Sequence, residues 1–170
     1  MSLSSAHCQQ HERLDPWCAH CNARAAAKAV KEHRRSEKKM SPTEESIFND
    51  FVRGYVDAAL WSSNENYSRG DITRACMAKM RADCRKFFRA NRADLRLYAA
   101  SIRYDRNKGT PYDYAGHDFW LTRNGHGTGF WDRDGVGDSD AGLGDRLSEA
   151  ARDFGECSLY VSRGKIHCST

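Results

Sequence analysis

No apolar run in this 170-residue chain approaches the roughly 20 residues that a helix needs to cross a bilayer. The opening segment, MSLSSAHCQQHERLDPW, also lacks the hydrophobic core of an export signal. Both absences lead to an expectation of a soluble protein acting in the cytoplasm. Apolar residues are scarce as well, at 39% with a mean hydropathy of −0.80, so any core must be small and rich in aromatics. No internal repeat is present, which excludes an array architecture. Nor is there a nucleophile elbow, a phosphate loop or a metal-ligand helix. The length fits one ordinary domain with an appendage.

What is present begins with seven cysteines, many for this length and odd in number. Without an export signal they point to metal binding or buried thiols, not to disulfides. Cys8-x2-His11 and Cys18-x2-Cys21 form two short ligand pairs six residues apart. Four such ligands suit a tetrahedral, structural Zn2+, with His20 or His7 as substitutes for His11. The alternative is a disordered tail whose cysteines are accidental. Charge is uneven in the same direction. Residues 1–40 hold eight Lys/Arg against four Asp/Glu, whereas residues 41–170 hold nineteen of each. The expected organisation is a Cys/His knuckle and basic helical arm over 1–40, and a compact domain over 41–170. Arg24, Lys28, Lys31, Arg34 and Arg35 on that arm are candidates for contact with phosphates or acidic surfaces.

In the second part, Ser41-Pro42-Thr43-Glu44 reads as a capping box, and Ile47, Phe48, Phe51, Val52 and Tyr55 follow at helical spacing. A further helix is expected from about Asp71 to Asn91, burying Ile72, Cys76, Met80, Cys84, Phe87 and Phe88. LRLYAASIRY (95–104) reads as an irregular strand. Asp118–Arg123 and Gly129–Asp132 read as two strands around Asn-Gly-His-Gly, because Asn and Gly tolerate the positive φ of a tight hairpin. A helix over Leu143–Phe154 and a hairpin over SLYVS-RG-KIHC complete the chain. The expected class is α+β: two helices, then hairpin, helix and hairpin forming a small antiparallel sheet.

The stretch GHDFWLTRNGHGTGFW (116–131) is dense in chemistry-bearing residues. As a catalytic site it would use His117 and His126 as general acid and base, with Asp118 or Asp132 orienting one of them. As a scaffold, Phe119, Trp120, Phe130 and Trp131 would fill the core while His126, Arg123 and Asn124 form an exposed contact tip. The scaffold reading is simpler, and no catalytic residue is assigned. Arg74, Arg81, Arg85 and Arg89 form a stripe that could track phosphates, although solvated helix faces look the same. Asp132-x-Asp134 with Gly137, Asp138 and Asp140 resembles the start of a calcium loop, but Val136 and Leu143 occupy ligand positions.

GHDFWLTRNGHGTGFWDRD, followed by an amphipathic helix, FGE and a short hairpin, resembles a family of small proteins encoded by tailed bacteriophages and prophages. The likeness spans residues 46–62 and 115–166. It implies a phage gene product acting in the host bacterial cytoplasm, where such proteins bind and redirect a host protein or a defence complex. It brings no catalytic residue. The expected function is therefore a non-enzymatic accessory protein that binds a host macromolecule. Its rivals are a nucleic-acid-binding protein using the knuckle and arm, and a small hydrolase or nuclease using His117 and His126.

Overall fold

The computed structural model describes Ala27 and residues 40–63, 67–138 and 140–169. The chain divides into two compact units, Met1–Glu44 and Glu45–Thr170. Of the first, only Ala27 and residues 40–44 are described, so the expected knuckle ligands Cys8, His11, Cys18 and Cys21 lie outside the described residues. So do the arm residues Arg24, Lys28, Lys31, Arg34 and Arg35.

Helix α1 (Pro42–Ser62) starts as the sequence predicts. Glu44 N–H donates to Ser41 Oγ and Ser41 N–H donates to Glu44 Oε2, both at 3.2 Å, forming a reciprocal capping box. Its buried face carries Phe48, Phe51, Val52 and Tyr55. Helix α2 (Arg74–Ala90) is capped by Thr73 and buries Cys76, Met80, Cys84, Phe87 and Phe88. Helix α3 spans Arg92–Ser101, α4 spans Pro111–Arg123 and α5 spans Leu143–Arg152. A short 3-10 turn, Phe130–Asp132, precedes α5. Strands β1 (Ser158–Ser162) and β2 (Lys165–Ser169) pair antiparallel around the turn Arg163-Gly164. Helices and one two-stranded sheet thus make up the described fold, consistent with a mixed α+β class in its coarse form.

Two expected elements are corrected. The strand at 95–104 is instead α3, because Leu95, Tyr98 and Ile102 recur every three to four residues and are the positions that are buried. The first hairpin, Asp118–Arg123 with Gly129–Asp132, is instead the second half of α4 and a 3-10 turn. Its start signal lies upstream, in Thr110-Pro111 with Asp113: Thr110 and Asp113 make a capping box, and Pro111 occupies the first turn. From Ala115 to Arg123 every residue except His117 is buried, and a helix sunk this deeply shows no polar face for a period to reveal.

Asn124-Gly125 closes the helix and does not turn a hairpin. Gly125 adopts φ +65°, its N–H donates to Thr122 O at 3.3 Å, and His126 N–H donates to Leu121 O at 3.0 Å. These are the two bonds of a Schellman motif, which needs the same positive φ that a hairpin does. Helix α4 lies directly against α1. A Cβ added at Gly54 would fall 1.8 Å from Asp113 O, and one at Gly116 would fall 1.9 Å from Phe51 O. The core beside this crossing is aromatic: Phe87 stacks on Phe119 at 4.1 Å between centroids, with Phe51, Phe130 and Phe154 around the pair.

Candidate functional site

The residues expected at an exposed tip are mostly placed elsewhere. Arg123 has its side chain fully buried. Its Nε donates to Gly155 O at 2.8 Å and its Nη2 to Phe154 O at 3.0 Å. Its Nη1 reaches Tyr55 Oη at 2.8 Å and Asp83 Oδ2 at 3.0 Å. Burial alone would lower the guanidinium pKa, but Tyr55 and Asp83 outweigh it and hold the group charged. Arg123 is therefore not a contact residue; it ties α4 and α1 to the chain leading into β1. Asn124 acts alongside it, donating to Trp120 O at 2.9 Å and accepting from Cys157 N–H at 2.7 Å.

His126 is the exception. It is half-buried and lines a cleft of about 280 Å3. One wall is the end of α1 (Ala59, Ser62, Ser63), a second is the end of α4 with its cap (Trp120, Asn124, His126), and the third is β1 with its lead-in (Glu156 to Val161). Trp120 forms part of the apolar floor and donates from Nε1 to Ser62 Oγ at 2.8 Å, which locks two walls together. Val161 is 40% exposed at the rim, whereas Tyr160 turns to the opposite face of the strand and stacks on His167 at 5.2 Å. The expectation that both hairpin tryptophans are core holds for Trp120, at 3% exposure, and is corrected for Trp131, at 38%. Trp131 packs beside the Arg152 guanidinium instead, 5.6 Å from its ring centre.

His117 lines a different cleft, of about 260 Å3, at the crossing of α1 and α4. Arg53, Asp57, Lys108, Tyr114 and Arg133 share it. Its charges are already matched. Arg53 holds Asp113 through two bonds of 2.7 and 2.6 Å. Arg133 grips Asp118 with Nε at 2.9 Å and with Nη2, and Tyr98 Oη donates to the same carboxylate at 2.6 Å. Burial pushes the Asp118 carboxyl upward, but His117, Arg133 and Tyr98 outweigh it and keep it below the ordinary range.

His117 Nδ1 sits 3.6 Å from Asp118 Oδ1, too far for a good hydrogen bond, so the short hydrogen bonds to the carboxylate come from Arg133 and Tyr98. A histidine backed by a carboxylate is the arrangement of a general base. Here both carboxylate oxygens are occupied by other donors. The acid–base pair read from the sequence also needs both rings at one reacting centre, and His117 and His126 line separate clefts.

Two arginines of the α2 stripe and the acidic loop are engaged in surface pairs. Arg81 donates to Asn49 at 3.0 Å and faces Glu45 at 3.7 Å, and Arg85 shares Glu45 while lying over the Phe48 ring. In the acidic loop, Asp134 and Asp138 both bind Arg103, Asp140 binds Arg146, and Asp132 accepts from Gly129 N–H and Thr128. No group of three or more His, Cys, Asp or Glu is placed to hold a metal ion among the described residues. Burial pushes the Cys84 and Cys157 thiols up, which makes them poor nucleophiles. No helix among the described residues is long and apolar enough to cross a membrane.

Sequence reasoning missed the α1 and β1 walls of the His126 cleft. The alternation in SLYVS signals a strand, but nothing in it places that strand opposite Ser62. Comparison of the chain with protein-family models, with curated proteins and with solved structures finds no match.

Proposed function

We propose that this chain is a phage-encoded accessory protein that binds a host protein without catalysing a reaction, acting in the host bacterial cytoplasm as a host-takeover or anti-defence factor. The phage assignment rests on the resemblance of residues 46–62 and 115–166. The observation that carries the binding role is the cleft between β1 and the α4 cap. Its frame is fixed by Arg123, Asn124 and Trp120, while Val161 stands exposed at its rim, which His126 also lines. Rigid support under an exposed aliphatic rim is how protein interfaces gain affinity without large ordering costs. A zinc knuckle and basic arm over residues 1–40 would supply a second contact.

The test is affinity capture from host lysate by the full chain, with and without nuclease. A defined host protein should be retained after nuclease treatment and lost with Val161→Glu or His126→Glu, at unchanged melting temperature. Loss on nuclease treatment, with steep salt sensitivity, would instead support the arm as a nucleic-acid contact. Turnover abolished by His117→Ala or His126→Ala with binding intact would support the hydrolase reading.

A further inference from the structure

The hairpin β1–β2 is asymmetric in its hydrogen bonding. Its turn, Arg163-Gly164, has positive φ at both residues, +51° and +70°, the signature of a two-residue type I′ connection. In such a hairpin the flanking pair, Ser162 with Lys165, exchanges both main-chain bonds, and so do Tyr160 with His167 and Ser158 with Ser169. The alternate residues, Leu159, Val161, Ile166 and Cys168, turn their main-chain groups away from the partner strand.

On the β2 side this edge is used. Ile166 O accepts from Thr73 N–H at 2.9 Å and from the Thr73 hydroxyl at 3.0 Å, and Ile72 bridges to Ile166. On the β1 side, no main chain pairs with Leu159 or Val161 among the described residues. That open edge borders the His126 cleft. An open edge beside a cleft is the arrangement that accepts a strand from another chain.

Resting on the binding role proposed above, we infer that the partner docks as an extended peptide segment that adds a third strand to the free edge of β1. Main-chain bonds to Leu159 and Val161 would supply register. The cleft floor at Trp120 and Ala59 would take one small apolar side chain of the segment. Charge adds a second constraint. Glu156 stands exposed at the start of the edge and Arg163 at its end, each without an ion pair among the described residues. The complementary segment carries a basic residue where it passes Glu156 and an acidic one where it passes Arg163.

The test uses the full chain and synthetic peptides of about seven residues, the length of an ordinary strand. Each alternates valine and threonine. One carries lysine at its amino end and glutamate at its carboxyl end, the second the reverse, and a third is N-methylated on the residues that would pair. Amide hydrogen exchange in the free protein should show Leu159 and Val161 exchanging fast. The better of the two charged peptides should slow both amides, and the N-methylated peptide should bind about tenfold more weakly or not at all.

Val161→Pro, which removes an outward N–H and leaves the bonds to β2 intact, should weaken peptide binding by about tenfold, while Val161→Thr should not. Protected amides in the free chain, equal binding of the N-methylated peptide, or no binding by either charged peptide would overturn the inference. The wider reading fails separately. A captured host protein lost with Val161→Glu but kept with Val161→Pro leaves the cleft in place and removes strand addition. One kept with both removes the cleft.

Discussion

Helix α4 and strand β1 face each other across the same cleft, yet they treat their polar groups in opposite ways. The four buried polar residues of α4 are matched, Asp113 by Arg53, Asp118 by Arg133 and Tyr98, Thr122 by Phe130 N–H, and Arg123 by four acceptors, while the half-buried His117 keeps its Nδ1 out of solvent without a hydrogen-bond partner among the described residues. Along β1, the main-chain groups of Leu159 and Val161 that turn away from β2 have no main-chain partner among the described residues. The residues that draw the eye in the sequence are engaged in holding the fold. Capacity for a new interaction lies where bonding is incomplete, in a strand of unremarkable composition. If this contrast is right, substitutions in α4 act on stability, and substitutions on β1 act on binding.

Asp118→Ala should break the α4 side most severely. Removing one partner of a buried ion pair leaves Arg133 without its carboxylate and Tyr98 without its acceptor, at a cost of about 3–5 kcal/mol in chemical denaturation. The pH dependence follows from the lowered pKa of the Asp118 carboxyl, held down against burial by His117, Arg133 and Tyr98. Its stabilisation is complete above the unfolded value of about 4 and is lost as pH falls through the lower folded value. The gap in stability between the native chain and Asp118→Asn should therefore narrow once pH drops below about 4. A gap that stayed constant to lower pH would show that the carboxylate charge contributes nothing.

Trp120→Ala should cost about 3–5 kcal/mol, the range for a buried aromatic, and should also loosen the cleft floor. Gly116→Ala comes next. Its new methyl would sit 1.9 Å from the Phe51 carbonyl oxygen, and a backbone neighbour cannot rotate away. Separating α1 from α4 should cost about 1–3 kcal/mol or more. Trp131→Ala, at an exposed site with one cation–π contact, should cost about 1 kcal/mol or less. Equal melting temperatures for the two tryptophan variants would contradict the placement of Trp120 in the core.

How much of this was legible in the sequence depended on whether a local signal had one meaning. Ser41-Pro42-Thr43-Glu44 and the final SLYVS-RG-KIHC were read correctly, because a capping box and a two-residue turn each dictate one element. Asn124-Gly125 has two meanings, since hairpin turns and helix ends both need positive φ. The deciding signal lay upstream, at Thr110-Pro111 and Asp113. Burial of α4 on all sides removed the period that would have exposed the error. His126, expected at an exposed hairpin tip, instead follows the α4 cap and is half-buried. Arg123 was misplaced, because no local pattern distinguishes a guanidinium in solvent from one that collects four distant acceptors. The β1 and α1 walls are tertiary neighbours nearly a hundred residues apart, and no short motif encodes them.

The smallest expected effect on stability is also the sharpest test of the comparison. Val161 is 40% exposed, its side chain lies at the cleft rim, and its main chain takes no part in the bonds to β2. Val161→Glu therefore removes little buried surface and breaks no ladder bond, and should change stability by about 0.5 kcal/mol or less. The same substitution places a carboxylate where an incoming segment would have to desolvate it, near Glu156 on the same edge. Retention of the proposed partner should fall steeply while melting stays where it was. Asp118→Ala should show the reverse, with binding lost only in proportion to the fraction unfolded. Measuring retention and melting on both variants in one buffer decides the matter. If Val161→Glu lowered melting as much as Trp120→Ala, β1 would be part of the core, and the division between a saturated helix and an open strand would not stand.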